Sequence, residues 1–173
     1  MEALIEFGKI IIPASLVLYA VYLTVRSFII KEIELKKLEV RTRSIEIILP
    51  ARLQAYERMT LFLERIAPQN LLIRLNNPGF SARDFHKVLL DEIRNEYNHN
   101  VSQQVYMGED VWNQIRNAKE DLFILINEAA STMSAEATSI DLSKKIFEMV
   151  MEKKVDLILL ALTELKKEIQ QTF

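Results

Sequence analysis

Chemistry in this 173-residue chain would have to come from very few side chains. The sequence contains no cysteine, two histidines and three glycines. Thiolate nucleophiles, thiolate metal sites and a disulfide framework are therefore excluded, a composition that fits a reducing compartment. No P-loop, Rossmann glycine pattern, G-x-S-x-G or HExxH occurs, and so few glycines leave little scope for a phosphate-cradling loop. What remains is His99, in the run Arg94-Asn95-Glu96-Tyr97-Asn98-His99. Glu96 and His99 are an i, i+3 pair on one helix face, and di-iron carboxylate bundles take such a pair from each of two helices. The other histidine, His86, has Arg83 three residues before it rather than an acid. The second pair is missing, so no metal or other cofactor is expected. The simpler role for His99 is hydrogen bonding at a helix end among Asn, Gln and backbone groups, and that role is favoured. His86, between Arg83-Asp84 and Lys87, reads as a solvated surface residue.

The same six residues support a resemblance. Arg94 with its polar neighbour Asn95 and His99 five positions on resembles the catalytic motif of the HEPN superfamily of helical-bundle ribonucleases. The resemblance covers only these residues. It implies that Arg94 would stabilise phosphate charge and that His99 would act as acid or base at a 2′-hydroxyl. Charge argues the other way. The net charge is −2. Up to Arg43 there are 7 basic and 5 acidic residues, and beyond it 15 and 19. A module held by nucleic-acid phosphates would carry a basic footprint. The expectation is therefore a non-enzymatic protein with no nucleic-acid partner, and the Arg94/His99 ribonuclease is the alternative.

The element that organises the chain is Ile10–Ile30, IIIPASLVLYAVYLTVRSFII. The run from Ile10 to Val25 holds no charge, and Arg26 can lift its guanidinium to the headgroups, which extends the apolar length toward the ~20 residues a span requires. It is apolar on every side, unlike a surface helix with one polar face. Pro13 is placed in the first turn, where a missing N–H costs little. A cleaved leader would start basic, whereas Glu2 and Glu6 precede Lys9 here. Arg26, Lys31, Lys36, Lys37, Arg41 and Arg43 follow the run and Lys9 stands alone before it. This asymmetry places the N-terminus outside and the C-terminal side in the cytoplasm. The lipid bilayer is the first expected partner, and the basic residues mainly set topology.

Beyond the span, Leu35, Leu38, Thr42, Ile45 and Leu49 are spaced 3, 4, 3 and 4, a short heptad stripe. It predicts a helix over 31–49 that pairs with its own domain or with a second copy. Pro50 is read as a kink or restart. In 50–68 the stripe Leu53, Tyr56, Thr60, Leu63, Ile66/Ala67 faces inward, and Arg52, Arg58 and Arg65 pair with Glu57 and Glu64 along the same helix. A brief helix is expected after Asn70. Asn76-Asn77-Pro78-Gly79 is a turn, and Ser81 with Asp84 caps the next helix. Glu109 and Asp110 open a helix whose inward face includes Trp112, Ile115, Lys119, Leu122, Ile126, Ala129 and Met133. One last helix is expected from Ser139 or Asp141 to about Gln170. An apolar cavity near Leu122, Ile126 and Leu159 would turn this bundle into a lipid- or small-ligand-binding protein, a third reading.

Two phrases, LPARLQAYERMTLFLERIAPQNLLIRL (49–75) and EYNHNVSQQVYMGEDVWNQIRNAKEDLFILIN (96–127), together with the anchor, resemble an uncharacterised family of small single-pass bacterial membrane proteins with a helical cytoplasmic domain. The resemblance implies membrane location and a helical fold, and no activity. The expected architecture is all-α: an anchor (1–30), a juxtamembrane heptad helix (31–49) and a cytoplasmic bundle (50–173) with a long stalk-like helix. The expected function is a membrane-anchored scaffold or interaction module, with contacts through Leu35, Leu38, Ile45, Leu49 and Trp112. The expected protein partner is a second copy or another membrane protein.

Overall fold

The computed structural model describes residues 1–153 and 155–172, with the side chains of residues 2–5, 44 and 172 outside that description. The described residues are all-helical, with no strand. In chain order the α-helices are α1 (Glu2–Ile66), α2 (Pro68–Leu75), α3 (Ala82–Asn100), α4 (Glu109–Ser131), α5 (Ser139–Glu152) and α6 (Leu157–Thr172). A 3-10 helix, Val101–Tyr106, links α3 to α4. The chain divides into two compact units, Met1–Leu49 and the remainder from Pro50.

In the first unit the large apolar side chains are exposed along its length, from Phe7 to Ile48. Its internal bonds are those of a helix surface. Ser15 and Thr24 hydroxyls donate to the carbonyls of Ile12 and Ala20, and Glu32–Lys36 and Glu39–Arg43 pair at i, i+4. Helix α1 begins at Glu2, so Pro13 lies in its interior rather than in the first turn. Helical structure also continues through Pro50, so the expected restart there does not occur. Proline withholds its own N–H and crowds the carbonyl four residues back, a local cost that long helical segments on both sides can carry.

The second unit is built on a single hydrophobic core. From α1 it takes Tyr56, Met59, Phe62, Leu63 and Ile66, and from α3 Phe85, Leu89 and Ile93. From α4 come Ile115, Leu122, Leu125 and Ile126, and from α5 and α6 Leu142, Ile146, Ala161 and Leu165. The buried face of α1 is rotated from the expected stripe: Met59 and Phe62 are fully buried, while Leu53 is exposed and Thr60 half-buried. Helix α4 packs most extensively on α6, and α3 on α5.

Helix starts are fixed locally. Pro68 occupies the first turn of α2, so this helix starts earlier than expected. Ser81 Oγ accepts from Asp84 N at 3.1 Å. Thr138 and Asp141 form a reciprocal capping box at α5. The two capped starts are joined by an isolated antiparallel bridge, with Ala82 N donating to Ala137 O (2.8 Å) and Ser139 N to Phe80 O (3.1 Å).

The single last helix expected from Ser139 to Gln170 is two helices. Lys153 leaves helical geometry, and Asp156 Oδ1 then accepts from the N–H groups of Ile158 and Leu159 (2.9 and 3.1 Å). Asp156 is thus the cap that starts α6, not a polar interruption within a longer helix. The Lys153 ammonium meets the Asp121 carboxylate of α4 at 2.6 Å and fixes the corner.

Candidate functional site

Arg94 and His99 share α3, but they are five residues apart, about 140° around the helix axis. Arg94 pairs with Asp91 at 2.8 Å, and its guanidinium lies 6.0 Å from the Phe123 ring of α4. His99 instead lines a surface depression with Gln54, Arg58, Arg65 and Glu96. The structure does not bring Arg94 into that depression. Glu96 is held by Arg65 at 2.7 Å. The neighbouring Asn100 is buried and donates from Nδ2 to Glu96 O at 2.9 Å. His86 is not merely solvated: its Nε2 and Asn127 Oδ1 of α4 are 2.8 Å apart, so the Nε2–H donates.

Arg52 and Arg65 do not pair with Glu57 and Glu64 along α1 as expected, but reach other helices. Arg65 reaches Glu96 and Glu92 of α3, and Arg74 of α2 shares Glu92. Arg52 reaches Glu168 of α6 at 3.5 Å and donates from Nε to Tyr106 O at 3.2 Å. Glu168 is the hub of this polar knot. Its Oε1 accepts from Tyr56 Oη at 2.6 Å and from Gly108 N at 2.8 Å. Burial, and then the hydrogen bond to the Glu168 carboxylate, push the Tyr56 phenol up, and Arg52 pulls in the opposite direction. The knot joins α1, the start of α4 and α6. Its members are far apart in sequence and none is unusual locally, so no linear pattern marks it. A β-carbon at Gly108 would stand 3.2 Å from Glu168 Oε2, so this turn suits a residue without a side chain.

Trp112 is half-buried and stacks on Tyr97, with ring centroids 5.9 Å apart, and Tyr97 in turn tilts against Phe62. Lys119 sits 4.2 Å above the Tyr97 ring and pairs with Glu120. Trp112 therefore packs largely as a core-edge residue. Leu122 and Ile126 are buried in the core and Leu159 is 60% exposed, so these three do not line one cavity. The space beneath the Asp121–Lys153 pair, between α4 and the α5–α6 corner, amounts to about 50 Å³, little more than the room one or two waters occupy.

The heptad positions present the contrasting surface. Leu35, Leu38 and Ile45 are 66%, 60% and 53% exposed, and Leu49 is half-buried. Among the described residues one helix, α1, is long and apolar enough to cross a membrane by length and composition, and none of its apolar window is buried by the rest of the chain. No curated protein and no solved structure matches the chain. Residues 2–172 match a protein-family model, and on that extent the chain belongs to a family of unknown function (DUF7935).

Proposed function

We propose that this protein is a single-pass, membrane-anchored interaction module, with its helical body on the cytoplasmic side and no enzymatic role. One observation carries the reading. The apolar side chains of Ile10–Ile30 find no cover within the chain. At 1.5 Å per residue, these 21 positions extend about 31 Å, close to the ~30 Å hydrocarbon thickness. A core helix of a soluble domain would be wrapped by its neighbours, and this segment is not.

Orientation rests on the basic flank. Lys36 and Arg43 are tied to Glu32 and Glu39, which leaves Arg26, Lys31, Lys37 and Arg41 as the side chains best placed to meet anionic headgroups. The body then presents helices rather than a reactive centre. The polar knot around Glu168 is engaged in internal bonds to Tyr56, Arg52 and Gly108.

Two measurements test the reading. In membranes from expressing cells, the full chain should float with lipid and resist alkaline carbonate extraction. Cysteines introduced at Ser102 or Thr163 should be labelled by an impermeant thiol reagent only after the membrane is opened from the cytoplasmic side. Recovery of the intact chain in the soluble fraction sinks the anchor, and labelling from outside reverses the orientation.

A further inference from the structure

Read in heptads, the stripe past the span places Leu35, Thr42 and Leu49 at a and Leu38 and Ile45 at d. Carried back without a change of phase, the same register passes one cation, Lys31 at d at the end of the span, and then reaches Phe28, Thr24, Val21, Val17, Ala14 and Ile10. The adjoining g positions in the span are Ala20 and Ser27. Four of the span's five small side chains, Ala14, Ala20, Thr24 and Ser27, thus fall on or beside this line, Ser15 being the exception, while Leu16, Leu18, Tyr19, Tyr22 and Leu23 fall off it. Helices in lipid approach through small residues and Thr or Ser, because apolar bulk gains nothing there by leaving lipid. Two different environments, lipid and water, therefore select one seam.

The surface of α1 carries the matching shape. A hollow on it is lined by Leu23, Thr24, Ser27, Phe28 and Lys31. Four of these, Thr24 (d), Ser27 (g), Phe28 (a) and Lys31 (d), are the set that surrounds an a-position knob when two parallel helices interlock. The knob that would enter is Phe28 of a second copy. Beyond the membrane, Arg41 at g and Glu46 at e fall opposite one another across a parallel pair. Glu34 meets Glu39 there, but Glu39 is already neutralised by Arg43 at 2.7 Å. The competing line Ile33, Val40, Ile47 repeats only every seven residues, with Lys36, Lys37 and Arg43 at the intervening positions, so it does not make a seam.

We infer that two copies of this chain associate in parallel and in register along Ala14–Thr24–Phe28–Leu35–Leu38–Ile45–Leu49. This rests on the membrane-anchored reading, since a shared bilayer holds two copies side by side with the same end inserted and raises their effective concentration.

The chain has no cysteine of its own, so single cysteines report without background. Purified full-length Leu38→Cys, Ile45→Cys, Ile33→Cys and Ile47→Cys proteins, each reconstituted in phosphatidylcholine vesicles, would be oxidised and resolved by size. Cross-linking should be about tenfold faster at Leu38 and Ile45 than at Ile33 and Ile47, since a disulfide needs Cα atoms within ~7 Å. A Ser27→Phe change that fills the hollow should slow the Leu38 cross-link while leaving the chain bound to vesicles. Equal rates at all four sites, faster linking at Ile33 and Ile47, or no linking in protein that floats with vesicles overturns the seam and leaves the anchor standing. Failure to float overturns the anchor itself.

Discussion

Residues 10–30 and residues 55–66 lie on the same helix, α1, and both are rich in large apolar side chains, yet they meet opposite surroundings. Phe62, Met59 and Leu63 have no accessible surface, and Phe28, Leu18 and Tyr19 are mostly exposed. The difference lies in the pattern. In 55–66 the apolar residues recur along one face, with Glu57, Arg58, Glu64 and Arg65 on the other, so neighbouring helices of the same chain can satisfy that face. In 10–25 no polar face exists, and the proposed lipid surround is what would cover every side.

The comparison breaks most visibly if charge enters the first stretch. Leu18→Lys with Val21→Lys adds roughly 3 kcal/mol per residue to the cost of insertion, so the chain should shift from the membrane to the soluble fraction on flotation. The helical body should still unfold cooperatively, as followed by circular dichroism. Next comes a matched truncation. Phe62→Ala should destabilise the body by about 3–5 kcal/mol in denaturant unfolding, whereas Phe28→Ala should leave the body's midpoint where it was. If the two substitutions had equal effects, the distinction between the two stretches would collapse.

The polar knot gives a smaller effect. Glu168→Ala leaves the Tyr56 hydroxyl and the Gly108 N–H without their acceptor and should cost about 1–3 kcal/mol. Losing the Ser81 cap by Ser81→Ala should cost about 1 kcal/mol, read as a shift in the same unfolding midpoint. The smallest effect is a pH dependence. The backbone N–H and hydroxyl of Thr138 bond the Asp141 carboxylate and hold it below its ordinary range. A carboxyl depressed in the folded state contributes stability that is complete above its unfolded value and fades as pH falls through its folded value. The stability of the body should therefore decline on the acid side, below the usual carboxylate range, and Asp141→Asn should remove part of that decline.

Several features were legible in the chain because they are local. Ser81 and Asp84 mark the start of α3, Glu109 and Asp110 open α4, and the apolar periodicity of 85–97 is that of a helix. The candidate pair Arg94 and His99 was legible as a pattern, but spacing along a helix fixes azimuth, and five residues send the two side chains to different neighbours. The α5–α6 break shows the same limit from the other direction. Asp156 before an apolar run reads equally well as a cap or as an interruption, and the Lys153–Asp121 contact with α4 accompanies its use as a cap. Likewise, which of Leu53, Thr60, Met59 and Phe62 turns inward depends on where α3 and α6 lie, and α1 does not encode that by itself.

The amino-acid sequence alone determined that the protein is helical, that its first stretch is apolar on every side, and that its basic residues crowd one flank, because these are properties of neighbours along the chain. The tertiary structure decided that Glu168 ties α1 to the start of α4 and to α6, and that Arg65 serves α3 rather than its own helix. Such pairings join residues distant in sequence, and their free energy exists only once packing has brought the helices together.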